Sequence, residues 1–141
     1  MPITKAIFAT PDDVEVTFYD ALERADLEAM MSVWAEDEEI VCIHPGGPRI
    51  TGYAGVRAAW QRVFERGQQL RVRLQAPTVI QGPFSVVHTV IELVSVPGEE
   101  QKRAPIVATN VFVRGPAGWR MVVHHASPMP PDAVGEPRTL H

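Results

Sequence analysis

The chain has 141 residues, 45% of them hydrophobic and 21% charged, which is typical of one globular domain. Its formal net charge is −4 and its 13 basic residues are scattered, which argues against nucleic acid as a main partner. A single cysteine, Cys42, excludes an internal disulfide, and no apolar run reaches the roughly 18 residues of a membrane span. No leader of basic and then apolar residues follows Met1, so we expect a cytoplasmic protein with no membrane partner.

The first half of the chain predicts three helices. Thr10 and Pro11 are a typical helix start, and the apolar residues that follow recur at helical spacing. Asp26 is a second capping residue, and Gly67 is a typical residue beyond a helix end. The predicted elements are helices at 11–25, 27–34 and 53–66, short strands at 40–43 and 49–51, and a turn at 44–48.

The second half predicts four long strands in a meander. The β-branched runs cover 70–81, 84–96, 106–114 and 119–127, and the glycines of segment 115–118 suit a tight hairpin. Helices followed by strands indicate an α+β fold with an antiparallel sheet. We therefore expect one domain over residues 1–127 and a proline-rich tail over 128–141.

The alternation of side chains along the long strands sorts them into two faces, both largely apolar. One face carries His88, Glu92, Asn110, Phe112 and His124. The opposite face carries the odd-numbered positions, including Val111, Val113, Met121, Val123 and His125. One apolar face packs on the helices, and the other needs a cover of its own. A second copy of the chain is the simplest cover, so we predict a homodimer through the outer sheet face.

A set of short motifs in order along the chain resembles the nuclear-transport-factor-2-like superfamily, in its SnoaL-like and ketosteroid-isomerase-like branch. The same motifs are similar to the association domain of calcium/calmodulin-dependent kinase II. They are Asp26-Leu27 through Trp34, Ile43-His44-Pro45, Gly52-Tyr53 leading to Trp60, Ala108–Phe112, Gly118-Trp119-Arg120 and His124–Ser127.

The resemblance implies a curved sheet wrapped around the N-terminal helices, forming a cone with an apolar internal cavity. It also implies that the even-numbered strand positions face this cavity and that Trp60 forms part of its wall. The kinase association domain has cavity arginines at the positions of Val90, Asn110 and Ala126, so its preference for small carboxylates is not expected to carry over. A small apolar molecule is the expected ligand, and no cofactor is expected.

His44 is the candidate catalytic residue, because the general base of ketosteroid isomerases also precedes a proline after this strand. A histidine is a competent base near neutral pH. The alternative is a turn histidine bonded to nearby backbone. The oxyanion tyrosine of that family is replaced by Phe18, and Tyr19, one position along, is expected to point about 100° away. Ketosteroid isomerase activity itself is therefore not expected.

His88, Glu92, Asn110 and His124 are predicted to form a polar cluster, with Trp60 and Phe112 as the other candidate ligand-binding residues. The alternatives are a purely structural network, or Glu92 paired with Arg114 at the cavity rim. A metal site is not expected, because no short His-x-x-x-His spacing is present. Two functions stay open: a proton-transfer enzyme of isomerase or lyase type acting on a hydrophobic molecule, and a non-catalytic module for homo-oligomerisation.

Overall fold

The computed structural model describes residues 7–99 and 103–130, which form three helices and a six-stranded sheet. The elements in order are α1 (Pro11–Arg24), α2 (Leu27–Ser32), β1 (Val41–Ile43), β2 (Arg49–Thr51), α3 (Tyr53–Glu65), β3 (Arg71–Gln81), β4 (Ser85–Ser95), β5 (Ile106–Gly115) and β6 (Gly118–Pro128). The predicted α+β class is confirmed, and each predicted element is present with its ends shifted by no more than a few residues.

Helix α1 begins and ends where its local chemistry requires. The Thr10 side chain accepts a hydrogen bond from the Asp13 backbone N–H at 3.1 Å, which satisfies one of the unpaired donors of the first turn. Ala25 ends the helix in the left-handed region, at φ 52°. Val14 and Phe18 are fully buried and anchor the helix against the sheet. Burial of each such side chain contributes about 1.5–3 kcal/mol.

The sheet has the strand order β2-β1-β6-β5-β4-β3 and is antiparallel except where β1 lies parallel to β6. This one parallel pair departs from the antiparallel prediction. It arises because the chain crosses after β2 to the far edge of the sheet, at β3, and returns strand by strand to β6, which lies beside β1. The register of β3 shifts between Gln75 and Thr78, and that of β5 on β6 shifts between Val111 and Phe112. Such bulges bend strands. The bent, unclosed sheet wraps around α1 as a cone.

The bulge in β6 corrects one assignment made from strict alternation. Val111 pairs with Val123, but Phe112 pairs with Met121, so Val122 is the extra residue. Met121 is therefore fully buried on the inner face, where alternation had placed it outside. Beyond the bulge the prediction is correct, because His124 is buried and His125 is exposed.

The described part of the chain is one layer of helices on one sheet, with the core between them. Strand β6 ends at Pro128, one residue past the predicted domain end, and the tail from residue 131 onward lies outside the described residues.

Among the described residues, no helix is both long and apolar enough to cross a membrane. The outer sheet face presents the half-buried side chains of Val111, Val113 and Val123, and Val107 is 37% exposed.

Candidate functional site

A cavity of about 630 Å³ opens between α3, the turn after β1 and the inner face of the sheet. Its wall is apolar where α1 and the middle of α3 line it, and polar at the end of α3 and where β4, β6 and the turn after β1 meet it. The residues that line it are Leu22, His44–Pro48, Ile50, Ala59, Trp60, Arg62–Phe64, Arg66, Gln68, Leu70, Glu92, Val94, Arg103, Ile106 and His124. The volume suits a small organic molecule.

The structure brings four of the seven predicted site residues to this cavity: His44, Trp60, Glu92 and His124. The other three lie behind the wall. His88 is 4% exposed, and Asn110 and Phe112 are fully buried. The expected inward orientation of these strand positions agrees with the structure, but His88, Asn110 and Phe112 are not among the residues that line the cavity.

Six buried polar side chains form one hydrogen-bonded cluster at the inner end of the cavity. Its members are Glu15, Tyr19, His88, Glu92, Asn110 and His124. Two of them, Glu92 and His124, also line the cavity, so the cluster is in contact with the cavity through these two side chains. A buried polar group without a partner costs free energy, and each side chain here has at least one partner.

Tyr19 corrects the sequence interpretation. Its hydroxyl donates to Glu92 Oε2 at 2.6 Å and the residue is only 6% exposed, although its helical angle relative to Phe18 predicted an orientation away from the cavity. The curved sheet covers a wide arc of α1, so side chains about 100° apart can both be buried. A signal was present in the sequence, because Glu15, Tyr19 and Leu22 recur at helical spacing and form a second inward stripe.

Asn110 organises the cluster. Its amide nitrogen donates to Glu15 Oε2 at 3.0 Å and to the Tyr19 hydroxyl at 3.1 Å. Its amide oxygen lies 2.7 Å from His124 Nδ1, which must then carry the proton. His124 is thus held as the tautomer with a free lone pair on Nε2. Burial, reinforced by His44 and His125, lowers the pKa of His124 to about 3, so the ring stays neutral.

Glu92 is the acidic side chain that lines the cavity, and its pKa departs strongly from the ordinary value. Burial raises its pKa to about 7, with a further contribution from the charge of Glu15, while the hydrogen bond from Tyr19 opposes the rise. Burial and Glu92 together raise the pKa of Tyr19, so that its hydroxyl remains a donor. At neutral pH the Glu92 carboxyl is therefore divided between its acid and its carboxylate form.

His44 lies in the cavity wall in edge-to-face contact with Trp60, at 4.6 Å between ring centroids. Its Nε2 is 3.9 Å from Cys42 Sγ, and burial raises the pKa of that thiol to about 12, so it stays protonated. Burial lowers the pKa of His44, and the positive charges of Arg66 and Arg62 lower it further. The imidazole is consequently neutral near pH 7, the form in which it can accept a proton.

Three alternatives for this region can be compared with the contacts. The pairing of Glu92 with Arg114 is wrong: Glu92 lies opposite Ile106, whereas Arg114 lies opposite Trp119 at the other end of β5. Within residues 7–99 and 103–130, no three His, Cys, Asp or Glu side chains come together as a metal site would require. The alternative of a purely structural network applies to His88 and Asn110, because both are buried in the cluster and neither lines the cavity.

Relatives of known structure share this fold over most of their length. A candidate calcium/calmodulin-dependent protein kinase type II association domain from Thiobacillus denitrificans is 39% identical, with a TM-score of 0.84 covering 89% of this chain and 99% of that one. A candidate dehydratase of the NTF2-like family from Streptomyces avermitilis is 28% identical, with a TM-score of 0.74 covering 85% and 99%.

A curated plant protein and a family match complete the comparison. The F-box protein SKIP8 of Arabidopsis thaliana is 30% identical over 128 residues, or 89% of this chain, and the chain spans about half (51%) of that relative's length. Residues 13–131 match the SnoaL-like domain family over most of the chain. With its cone-shaped sheet and internal cavity, the chain belongs to the SnoaL-like domain family of the NTF2-like superfamily.

Proposed function

We propose that the cavity binds a small molecule with an apolar body and catalyses a proton transfer on it, of isomerase or lyase type. The observation that carries the proposal is the meeting of three titratable side chains, His44, Glu92 and His124, in the wall of one cavity. Groups whose environments drive their pKa values apart mark acid and base roles. The similarity to a candidate dehydratase at 28% identity supports this class of reaction.

In the proposed mechanism His44 is the general base. Its neutral imidazole removes a proton from the carbon next to a substrate carbonyl; the electron pair of that C–H bond forms a carbon–carbon double bond, and the π pair of the carbonyl moves onto its oxygen. Glu92, in its acid form, donates to this oxygen and stabilises the developing charge. Tyr19 fixes Glu92 through the 2.6 Å hydrogen bond. His124 Nε2 offers an acceptor that orients a substrate hydroxyl or N–H.

The reaction is completed in one of two ways from the same intermediate. Return of the proton to a different carbon isomerises the substrate. Loss of a hydroxyl from the neighbouring carbon, with the proton that His44 removed transferred to the leaving oxygen, releases water. Both need a base and an acid on one cavity wall, which is the arrangement that His44 and Glu92 provide.

The test is solvent-deuterium exchange at carbon next to a carbonyl, because it reports proton abstraction before the natural substrate is known. With β-tetralone in D₂O as the probe, wild type should accelerate exchange, and His44→Gln and Glu92→Gln should each reduce it by about 100-fold or more. His125→Gln is the matched control, since this histidine is exposed. Exchange no faster than in buffer, or unaffected by both cavity substitutions, would contradict the proposal.

A second candidate, a non-catalytic module for self-association, is favoured by a different observation. The association domain from Thiobacillus denitrificans is 39% identical to this chain and is matched over 99% of its length. The outer sheet face of this chain carries the β-branched side chains of Val111, Val113 and Val123. We accordingly propose a homodimer through that face, which is compatible with either function of the cavity.

A further inference from the structure

Glu15 belongs to the buried cluster but has no part in the proposed mechanism. It lies on α1 at 9% exposure and is not among the residues that line the cavity. Its Oε2 atom lies 3.0 Å from both Asn110 Nδ2 and His88 Nδ1. An ionised carboxylate has no hydrogen to donate, so in this form Glu15 can only accept hydrogen bonds from its two neighbours.

The surroundings of His88 stabilise the accepting form of Glu15. The imidazole lies between two acids, because Nδ1 faces Glu15 and Nε2 lies 3.8 Å from Asp12 Oδ1. A ring with a carboxylate beside each nitrogen is stabilised in the form that donates from both nitrogens. The donor and the positive charge of that form in turn stabilise the carboxylate of Glu15.

An acceptor at Glu15 allows the amide group of Asn110 only one orientation. The nitrogen and oxygen of an asparagine side chain can exchange places by rotation, and the neighbouring donors and acceptors decide between the two orientations. With its oxygen toward Glu15, two acceptors would face each other in a buried cluster, which is unfavourable. The nitrogen therefore faces Glu15, and the oxygen faces His124.

This orientation determines the hydrogen positions on both polar side chains of the inner wall. The Asn110 oxygen accepts from His124 Nδ1 at 2.7 Å, which leaves Nε2 without a hydrogen. The second hydrogen of the Asn110 nitrogen is donated to the Tyr19 hydroxyl at 3.1 Å, so the Tyr19 proton is donated to Glu92 Oε2 at 2.6 Å. The acid form of Glu92 then carries its proton on Oε1, the oxygen that Tyr19 does not bind.

A rotated Asn110 would reverse each of these hydrogen bonds. Its oxygen would accept from Tyr19, and the Tyr19 oxygen would be left to accept the acid proton of Glu92. Glu92 would then donate into the cluster and not into the cavity. His124 would present an N–H to the cavity where it otherwise presents a lone pair. The wall would thus lose the acid that the proposed mechanism requires.

We propose that Glu15 is a positioning residue, the acceptor that sets the direction of the hydrogen bonds in the cluster and so keeps the acid proton of Glu92 and the lone pair of His124 Nε2 available to the cavity. Glu15 acts through Asn110 and Tyr19 and touches no ligand. The inference rests on the proposed function for its catalytic consequence, but the direction of the bonds can be measured without a substrate.

The test identifies the protonated nitrogen of His124 by 15N NMR of the full chain with labelled histidine, since the two ring nitrogens are distinct in a neutral imidazole. The signals are assigned by their loss in His124→Gln. Wild type should carry the proton on Nδ1 alone. In Glu15→Gln the amide nitrogen can donate to Asn110, so the Nε2–H form should appear. Glu23→Gln is the matched control on α1 and should keep the proton on Nδ1, because this carboxylate accepts from the Val72 backbone N–H outside the cluster.

Deuterium exchange of β-tetralone supplies the catalytic readout. Equal population of the two directions in Glu15→Gln should lower the exchange rate about twofold, and complete reversal should approach the loss expected for Glu92→Gln. His88→Gln is the second variant, and it decides the matter if Glu15→Gln does not fold. Its amide nitrogen can donate to Glu15 as the imidazole does, so the proton of His124 should stay on Nδ1.

The outcomes separate this inference from the proposed catalysis. A proton on Nε2 of His124 in wild type or in His88→Gln, or on Nδ1 alone in Glu15→Gln, would overturn the inference. A changed tautomer with an unchanged exchange rate would overturn the positioning role. The predicted tautomers in a wild type that exchanges no deuterium would sustain the direction set by Glu15 and count against the catalytic function alone.

Discussion

Glu92 should make the stability of the protein depend on pH in a way that one substitution removes. Burial raises the pKa of this carboxyl to about 7, from 4.5 when it is exposed to water. The folded protein therefore holds the proton more tightly than the unfolded chain, so this contribution to stability is complete below pH 4.5 and is lost as the pH rises to about 7. A difference of 2.5 pKa units corresponds to about 3 kcal/mol.

The assay is urea unfolding of wild type and Glu92→Gln at several pH values between about 4.5 and 8, followed by tryptophan fluorescence. Glutamine keeps an oxygen that accepts from Tyr19 but cannot ionise. The stability of the variant relative to wild type should therefore increase by about 3 kcal/mol across this range. Glu65→Gln, at an exposed position, is the control and should show no such trend. A difference between wild type and Glu92→Gln that is constant with pH would refute the reasoning.

Three further predictions follow from the contacts of the cluster, the core and the outer face. Tyr19→Phe removes the donor to Glu92, so it should lower the free energy of unfolding by about 1–3 kcal/mol and raise the pKa of Glu92 further, as read by urea unfolding and by NMR titration. Phe18→Ala empties a fully buried site on α1 and should cost about 3–5 kcal/mol in the same unfolding assay; a cost below about 1 kcal/mol would contradict the packing described. Val111→Lys/Val113→Lys should convert the proposed dimer to monomers in light scattering, and an unchanged dimer mass would exclude this face.

The sequence was sufficient to predict the class of fold and the direction of most strand side chains. Alternation along β4, β5 and β6 correctly places His88, Asn110 and His124 on one face, because side-chain direction in a strand follows from parity alone. It fails at Met121, since one bulge at Val122 reverses parity for the residues before it. A bulge is a property of strand pairing, and the sequence of one strand does not reveal it.

The candidate site was predicted in part, for reasons that are equally local. The family resemblance points to His44 and to the inward face that carries Glu92, but it does not reveal Tyr19 as the partner of Glu92, because the helical angle from Phe18 places Tyr19 away from the cavity. How much of α1 becomes buried depends on how far the sheet curves around it, which is a tertiary property. The positions of Arg62 and Arg66 in the cavity lining depend on tertiary structure in the same way, because in sequence they are typical solvated charges at the end of a helix.

The dependence of exchange on pH tests the central claim most directly, since the proposed mechanism needs His44 neutral and Glu92 protonated at the same time. In D₂O the exchange rate of β-tetralone should rise as His44 loses its proton, below the ordinary histidine pKa, and fall as Glu92 ionises at about 7. The account predicts a bell-shaped profile in wild type whose alkaline limb disappears in Glu92→Gln. A rate that rises continuously with pH in both proteins, as hydroxide catalysis would give, would contradict it.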